Sequence, residues 1–160
     1  MNIELKSEVL YNSIFIEGYL SQILMKLFHI QKAEPKTLGH SWTALSFKSK
    51  ADLLYDLEKI EKDLYNDLLT FMEIRNQFIH NGDTNSFKFV IEKRVNKKKI
   101  FKDFVKNLNL ESNDLEKQYQ LGFNKFTASI INELTETEKR IWNDRMKQLE
   151  NELELHKKTQ

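Results

Sequence analysis

Arg75, Asn76 and His80 stand in an Arg–Asn–x–x–x–His spacing within one apolar-rich segment. The guanidinium of an arginine is always charged and presents a planar fork of donors that fits a phosphate. A histidine titrates near neutrality and can take or give a proton, while an asparagine offers a neutral donor and acceptor to orient a bound group. A fixed cation next to a proton-transferring ring is suited to phosphodiester chemistry. Metal chemistry is not expected. There is no Cys in the sequence, no histidine–glutamate spacing of the HExxH kind and no glycine-rich phosphate loop, so neither a metal site nor a cofactor is anticipated.

The segment that must position these residues reads as a helix from about Asp63 to His80. Stepped at the helical period, Leu64, Tyr65, Leu68, Leu69, Phe71, Met72, Ile74, Phe78 and Ile79 cover nearly two thirds of its circumference. A helix so widely apolar belongs inside a bundle, touching several neighbours. Its polar sector holds Glu73, Asn76, Gln77 and His80, and Asn76 and His80, four apart, are close enough for an amide–imidazole hydrogen bond. Arg75 breaks the pattern. It falls about 200° from Glu73, on the arc of Phe71, Leu64 and Leu68. A buried guanidinium needs a partner: a carboxylate from another helix, an exit at the edge, or a ligand phosphate. Arg75 and His80 lie about 140° apart on an ideal helix, which argues for a frayed last turn or a site shared across a two-fold axis.

The run Phe71-Met72-Glu73-Ile74-Arg75-Asn76-Gln77-Phe78-Ile79-His80-Asn81 resembles the signature helix of the HEPN superfamily, an Arg followed by a polar residue and then a His. Upstream, Leu45-Ser46-Phe47-Lys48-Ser49-Lys50-Ala51-Asp52-Leu53-Leu54 resembles the mannitol-repressor-like branch of such proteins, and the likeness covers roughly residues 45–82. The resemblance implies a helical bundle that forms a two-fold dimer, with the Arg/His elements of both subunits meeting at the interface. It also implies a metal-independent ribonuclease of the toxin, antiviral or stress-response kind. Arg75 would bind the scissile phosphate, Asn76 would orient it, and His80 would handle protons during attack of the ribose 2′-hydroxyl. One group of toxin members carries a Tyr two positions after the His; Gly82 stands there, which separates this chain from that group. The mannitol-repressor-like branch is regulatory, so the alternative is a non-catalytic scaffold that works through protein contacts. In that case Arg75 ties helices together through a salt bridge and His80 caps.

The rest of the sequence supports an all-α reading as one domain over residues 1–160, with about five to six helices. Four Gly and one Pro are too few for the turns of an all-β chain, and 11 Phe, 5 Tyr and 2 Trp supply ample core. Apolar intervals of three and four predict a first helix over about Ile3–Ile30, interrupted by Gly18, which could mark a close helix–helix approach, and ended by His29 as a cap. Residues 31–46 form the main loop; His40, Ser41 and Trp42 within it make no recognisable triad. Ser46 is the expected N-cap of a short helix, and Asn81-Gly82 the left-handed stop of the third. Phe87–Val95 is too short to assign, and Ile100–Leu108 reads helical. The region from about Asn113 to His156 reads as two helices or one bent one, because Thr135-x-x-Glu138 has capping-box form. Its Trp142–Met146–Leu149–Leu153 series has coiled-coil spacing and is expected to be core.

Charge is segregated. Asp52–Glu73 holds seven acids and two bases, whereas Lys88–Lys106 holds eight bases and two acids. Lys93, Arg94, Lys97, Lys98, Lys99 and Lys102 are candidate contacts for RNA phosphates, with a plain solvated face as the alternative. No run of about 18 apolar residues and no signal-like N-terminus is present, so a cytoplasmic protein without a membrane partner is expected. RNA, a second copy of the chain and a regulatory protein are the anticipated partners.

Overall fold

A computed structural model describes residues 3–33, 35–39, 43–82 and 84–158. Six helices follow in order among the described residues: α1 Ile3–Leu27, α2 Phe47–Asp56, α3 Lys62–His80, α4 Phe87–Lys93, α5 Lys98–Asn107 and α6 Leu115–Lys158. No strand occurs among the described residues, and the all-α bundle is the fold observed. His40, Ser41 and Trp42 lie outside the described residues.

The widely apolar helix is at the centre. α3 packs against all five other helices, burying Leu64, Leu68, Phe71, Ile74 and Phe78. A string of rings runs through the core: Phe47 on Phe71, Phe71 on Phe123, Phe123 on Phe87 and Phe87 on Phe78, with centroids 4.7–6.1 Å apart. These are ordinary aromatic contact distances, so each ring adds stacking to its buried area. α1 runs parallel to α6, since Glu8 accepts from Gln120 and Asn124 while Lys26 pairs with Glu138. It runs antiparallel to α3, since Ser13 meets Arg75 and Lys6 meets Asn81.

Helix ends follow local chemistry, though not always the expected chemistry. Ser46 caps α2 as anticipated, its hydroxyl accepting from Ser49 N at 3.1 Å. The left-handed stops fall on His29, Glu58 and Asn109, with φ of 53°, 55° and 47°. His29 thus closes α1 as expected, with Ile30 N reaching back to Met25 O at 2.9 Å. The stop after α3 differs: Asn81 leaves extended, with φ −112° and ψ 110°, and no described glycine has positive φ. Three side chains replace the left-handed turn. Thr84 Oγ1 and Asn81 Nδ2 both donate to Gln77 O, and Lys6 Nζ donates to the Asn81 and Gly82 carbonyls. Gly18 meets nothing within 4 Å where a Cβ would stand, so it marks no close approach inside the chain. Gly122 does: a Cβ there would sit 2.4 Å from Val105 Cγ2, which is how closely α5 lies on α6.

The unassigned segment at 87–95 forms α4, seven residues held by a long-range clamp. The Glu116 carboxylate of α6 accepts from Ser86 Oγ (2.5 Å), Phe87 N (2.7 Å) and Lys88 N (2.8 Å), satisfying first-turn donors that a short helix cannot bond internally. α6 is one uninterrupted helix of 44 residues, about 66 Å long at the standard rise. The capping-box break does not form, because Thr135 Oγ1 donates to Ile131 O one turn back rather than turning to an amide. Trp142, Met146, Leu149 and Leu153 are exposed, so the expectation that they are core is corrected: α6 has run past the end of α1 by that point. No helix among the described residues is long and apolar enough to cross a membrane.

Candidate functional site

Arg75 lies at the edge of the α1–α3 contact, partly buried. Its Nε donates to Ser13 Oγ at 3.0 Å and its Nη1 to Asn76 Oδ1 at 2.8 Å. Ser13 is itself 1% exposed. Among the described residues no carboxylate pairs with this guanidinium. Two neutral oxygens fix its plane, and three of its five N–H groups remain for another acceptor. The expected Asn76–His80 bond is therefore not the one made; Asn76 serves Arg75 instead.

The nearest acid along α1 is already engaged. Glu17, one turn beyond Ser13, accepts from Lys50 Nζ at 2.8 Å, and the Lys50 side chain is fully buried. The polar inlay between α1, α2 and α3 thus holds two cations, Lys50 and Arg75, and one anion, Glu17. Burying charge is tolerable only with close compensation. Lys50 has it and Arg75 does not.

His80 is the last residue of α3 and exposed. Arg75 is directed at α1, whereas Glu73, 200° away on the ideal wheel, reaches the opposite neighbour. The Glu73 carboxylate accepts from Asn96 N (2.8 Å), Asn96 Nδ2 (2.8 Å) and Lys97 N (3.0 Å), which pins the start of α5 and the basic segment with it. On the ideal wheel His80 points within about 20° of the Glu73 direction, two turns further along α3. Within one chain, then, Arg75 and Asn76 are brought together, the basic stretch is held on the Glu73 side of α3, and no described bond joins His80 to either.

The six basic candidates divide. Lys93, Lys97 and Lys99 are exposed. Lys102 Nζ pairs with Glu92 at 2.7 Å, Lys98 Nζ donates to Glu92 O at 3.0 Å, and the Arg94 guanidinium lies 5.0 Å over the Phe89 ring. Tyr119 adds a 2.6 Å bond to Glu92, and with Lys102 it holds that carboxyl below its ordinary range. The engaged members, Lys98 and Lys102, build the α4–α5 corner; the exposed ones leave their charge to solvent.

A concavity of about 500 Å³ lies between α3 and α6 and is lined by Glu61, Leu64, Glu133, Glu136 and Arg140 among others. Next to it Asp67 is pushed up to about 6, first by burial and then by Glu133 and Asp63. Glu133 is raised for the same reasons. No group of three or more His, Asp or Glu among the described residues is arranged to hold a metal ion. The shift of Asp67 has a stability consequence. Its folded value exceeds its unfolded one, so the native state binds the extra proton between about pH 4 and pH 6 and loses stability as pH rises through that window. Asp67→Asn should therefore stabilise the protein at pH 8 by about 1 kcal/mol, the full shift being discounted for partial solvation, and give no gain at pH 4. Melting curves at the two pH values check this; equal gains at both would contradict it.

Sequence reading missed Ser13 and Lys50. Both left a trace: Ser13 interrupts the buried series Val9, Ile16, Leu20, and Lys50 lies among Phe47, Ala51 and Leu54 on one helix face. Comparison with models of protein families, with curated proteins and with solved structures finds no match to this chain.

Proposed function

We propose that this chain is a metal-independent endoribonuclease of the HEPN type, acting as a two-fold dimer in defence or stress response. The observation that supports it is the Arg75 guanidinium, held in plane by Ser13 and Asn76 and lacking a carboxylate among the described residues. A charge left uncompensated at a half-buried edge is a place for an anion, and a phosphodiester is the anion such a fork fits best.

In this reading Arg75 grips the scissile phosphate and Asn76 keeps the guanidinium aligned. His80 takes the proton of the 2′-hydroxyl as that oxygen attacks phosphorus. The P–O5′ bond breaks as the new P–O2′ bond forms, and the departing 5′-oxygen takes up a proton, leaving a 2′,3′-cyclic phosphate. Because Arg75 and His80 diverge along one helix, the pair is composite: Arg75 of one subunit with the partner's His80. Exposed Lys93, Lys97 and Lys99 draw RNA to the His80 flank. The test is incubation of the pure protein with mixed RNA in excess EDTA, with product ends analysed. Cyclic phosphate ends are expected; intact RNA over a wide range of protein concentrations would overturn the proposal.

A second reading, a non-catalytic scaffold that acts through protein contacts, is favoured by the outer face of α1. Ile3, Leu10, Tyr11, Ile14 and Phe15 are all exposed there. Patches of this kind mark docking sites. Under this reading no Arg75 or His80 variant alters RNA.

A further inference from the structure

We propose that the projecting end of α6 is a self-pairing seam, on which a second copy of this chain packs in parallel as a short two-stranded coiled coil. The inference does not depend on the chemistry proposed above. Among the described residues the last side-chain bonds from α6 to the bundle are Lys26 with Glu138 and Arg140 Nη2 with Lys59 O, and Ile141 is the last residue packed against the core. From Trp142 onward the described side chains are exposed, Arg145 alone being partly covered. The remaining 17 residues, Trp142–Lys158, project about 25 Å.

This projection is not a polar tail. Trp142, Met146, Leu149 and Leu153 are 56%, 40%, 36% and 61% exposed and follow one another at intervals of four, three and four. That spacing lays them along one seam, at the positions that fill a coiled-coil interface. Two heptads are marginal for a free peptide because nucleating the helix is costly. Here the helix is already nucleated, since its first half is buried in the bundle through Phe123, Phe126, Ile130 and Leu134.

Flanking charges select the occupant. In a parallel pair the residue just before one seam position faces the residue five further on in the partner. Arg145 then meets the partner's Glu150, and Glu152 meets the partner's Lys157, each twice by symmetry. Both of these matches in that register are attractive. An antiparallel pairing on the same seam keeps one such match, Arg145 with the partner's Glu152, and sets Glu150 against the neutral side chain of the partner's Asn143. The stripe also lies on the side that α1 flanks. Trp142 is eighteen residues, five turns, beyond Asn124, which donates to Glu8 of α1. α1 itself exposes the stacked pair Tyr11 and Phe15, 6.1 Å apart.

The absence of cysteine from the sequence makes the test clean. Leu149→Cys places a thiol in the seam, where a parallel partner sets the same thiol opposite; Asn151→Cys places one on the outward face. With the full chain at about 10 µM under mild oxidation by glutathione disulfide, Leu149→Cys should form a covalent dimer at least about tenfold faster than Asn151→Cys. Adding Arg145→Glu to the Leu149→Cys chain should slow cross-linking several-fold, and adding Glu150→Arg as well should restore it. Circular dichroism confirms that each variant keeps its helices. Equal rates at the two cysteines, no dimer from Leu149→Cys, or no restoration by the double charge reversal would each overturn the proposal. None of these readouts involves RNA, so the result is independent of the nuclease assay.

Discussion

Glu17→Ala should lower folding stability by about 3–5 kcal/mol, the largest loss expected from a single side chain outside the aromatic core. Glu17 is the acid bonded to the Lys50 ammonium, and Lys50 has no exposed surface. Removing the acid leaves a cation in the interface of α1, α2 and α3 with no counter-charge, and water does not reach it. The same logic predicts rescue. Glu17→Ala combined with Lys50→Met should recover most of the loss, because a buried ion pair is replaced well by apolar groups of similar volume, whereas a half-pair is not. Urea unfolding with an unchanged slope and a shifted midpoint is the measurement. A Glu17→Ala midpoint within about 1 kcal/mol of wild type would mean that Lys50 is compensated some other way.

The second large effect concerns activity. His80→Ala should lower RNA cleavage by roughly 10²–10⁴-fold, the usual contribution of a positioned proton-transfer group, with little change in melting because the side chain is exposed at a helix end. Arg75→Ala should also abolish cleavage, yet cost only about 1–2 kcal/mol of stability. Its partners Ser13 and Asn76 are neutral, so no buried charge is orphaned when it goes. A composite site makes a sharper demand: mixing inactive Arg75→Ala with inactive His80→Ala should restore part of the activity through mixed dimers. A His80→Ala protein as active as wild type would remove the histidine from the mechanism. Failure of the mixture to recover any activity would remove the shared site.

Much of this architecture was legible before any coordinates. The third helix was expected from Asp63 to His80 and runs from Lys62 to His80, because nine apolar residues at helical spacing leave little freedom. The Ser46 cap was legible because its partner amide, Ser49 N, is three residues away. What escaped depends on distant residues. α4 stands on a carboxylate from Glu116, nearly thirty positions later, so the local sequence of Phe87–Lys93 has too few residues to declare itself. The continuity of α6 turns on which acceptor Thr135 chooses, and a hydroxyl serves a helix end or a helix interior equally well. Exposure of Trp142 and Leu153 depends on where α1 ends relative to α6, a three-dimensional length that periodicity does not carry.

At the candidate site the anomaly was legible and its resolution was not. Arg75 stood out on an apolar arc, and a carboxylate, an edge exit or a ligand phosphate was the set of remedies. The structure gives an edge position with two neutral oxygens, one of them Ser13 from sixty-two residues earlier. The distance from Arg75 to the basic segment was equally hidden, since only the Glu73 clamp on Asn96 and Lys97 reveals on which side of α3 that segment lies.

Because α3 touches every other helix, its middle cannot open unless the whole molecule does. Amide protons around Phe71–Arg75 should therefore exchange with solvent only through global unfolding, while the last turn, ending at exposed His80, opens on its own. The two chemical groups sit on either side of that boundary. The guanidinium is mounted on the middle of α3 and the imidazole on its last turn, so in the proposed site a ligand held at the first would meet a second group that still has room to adjust.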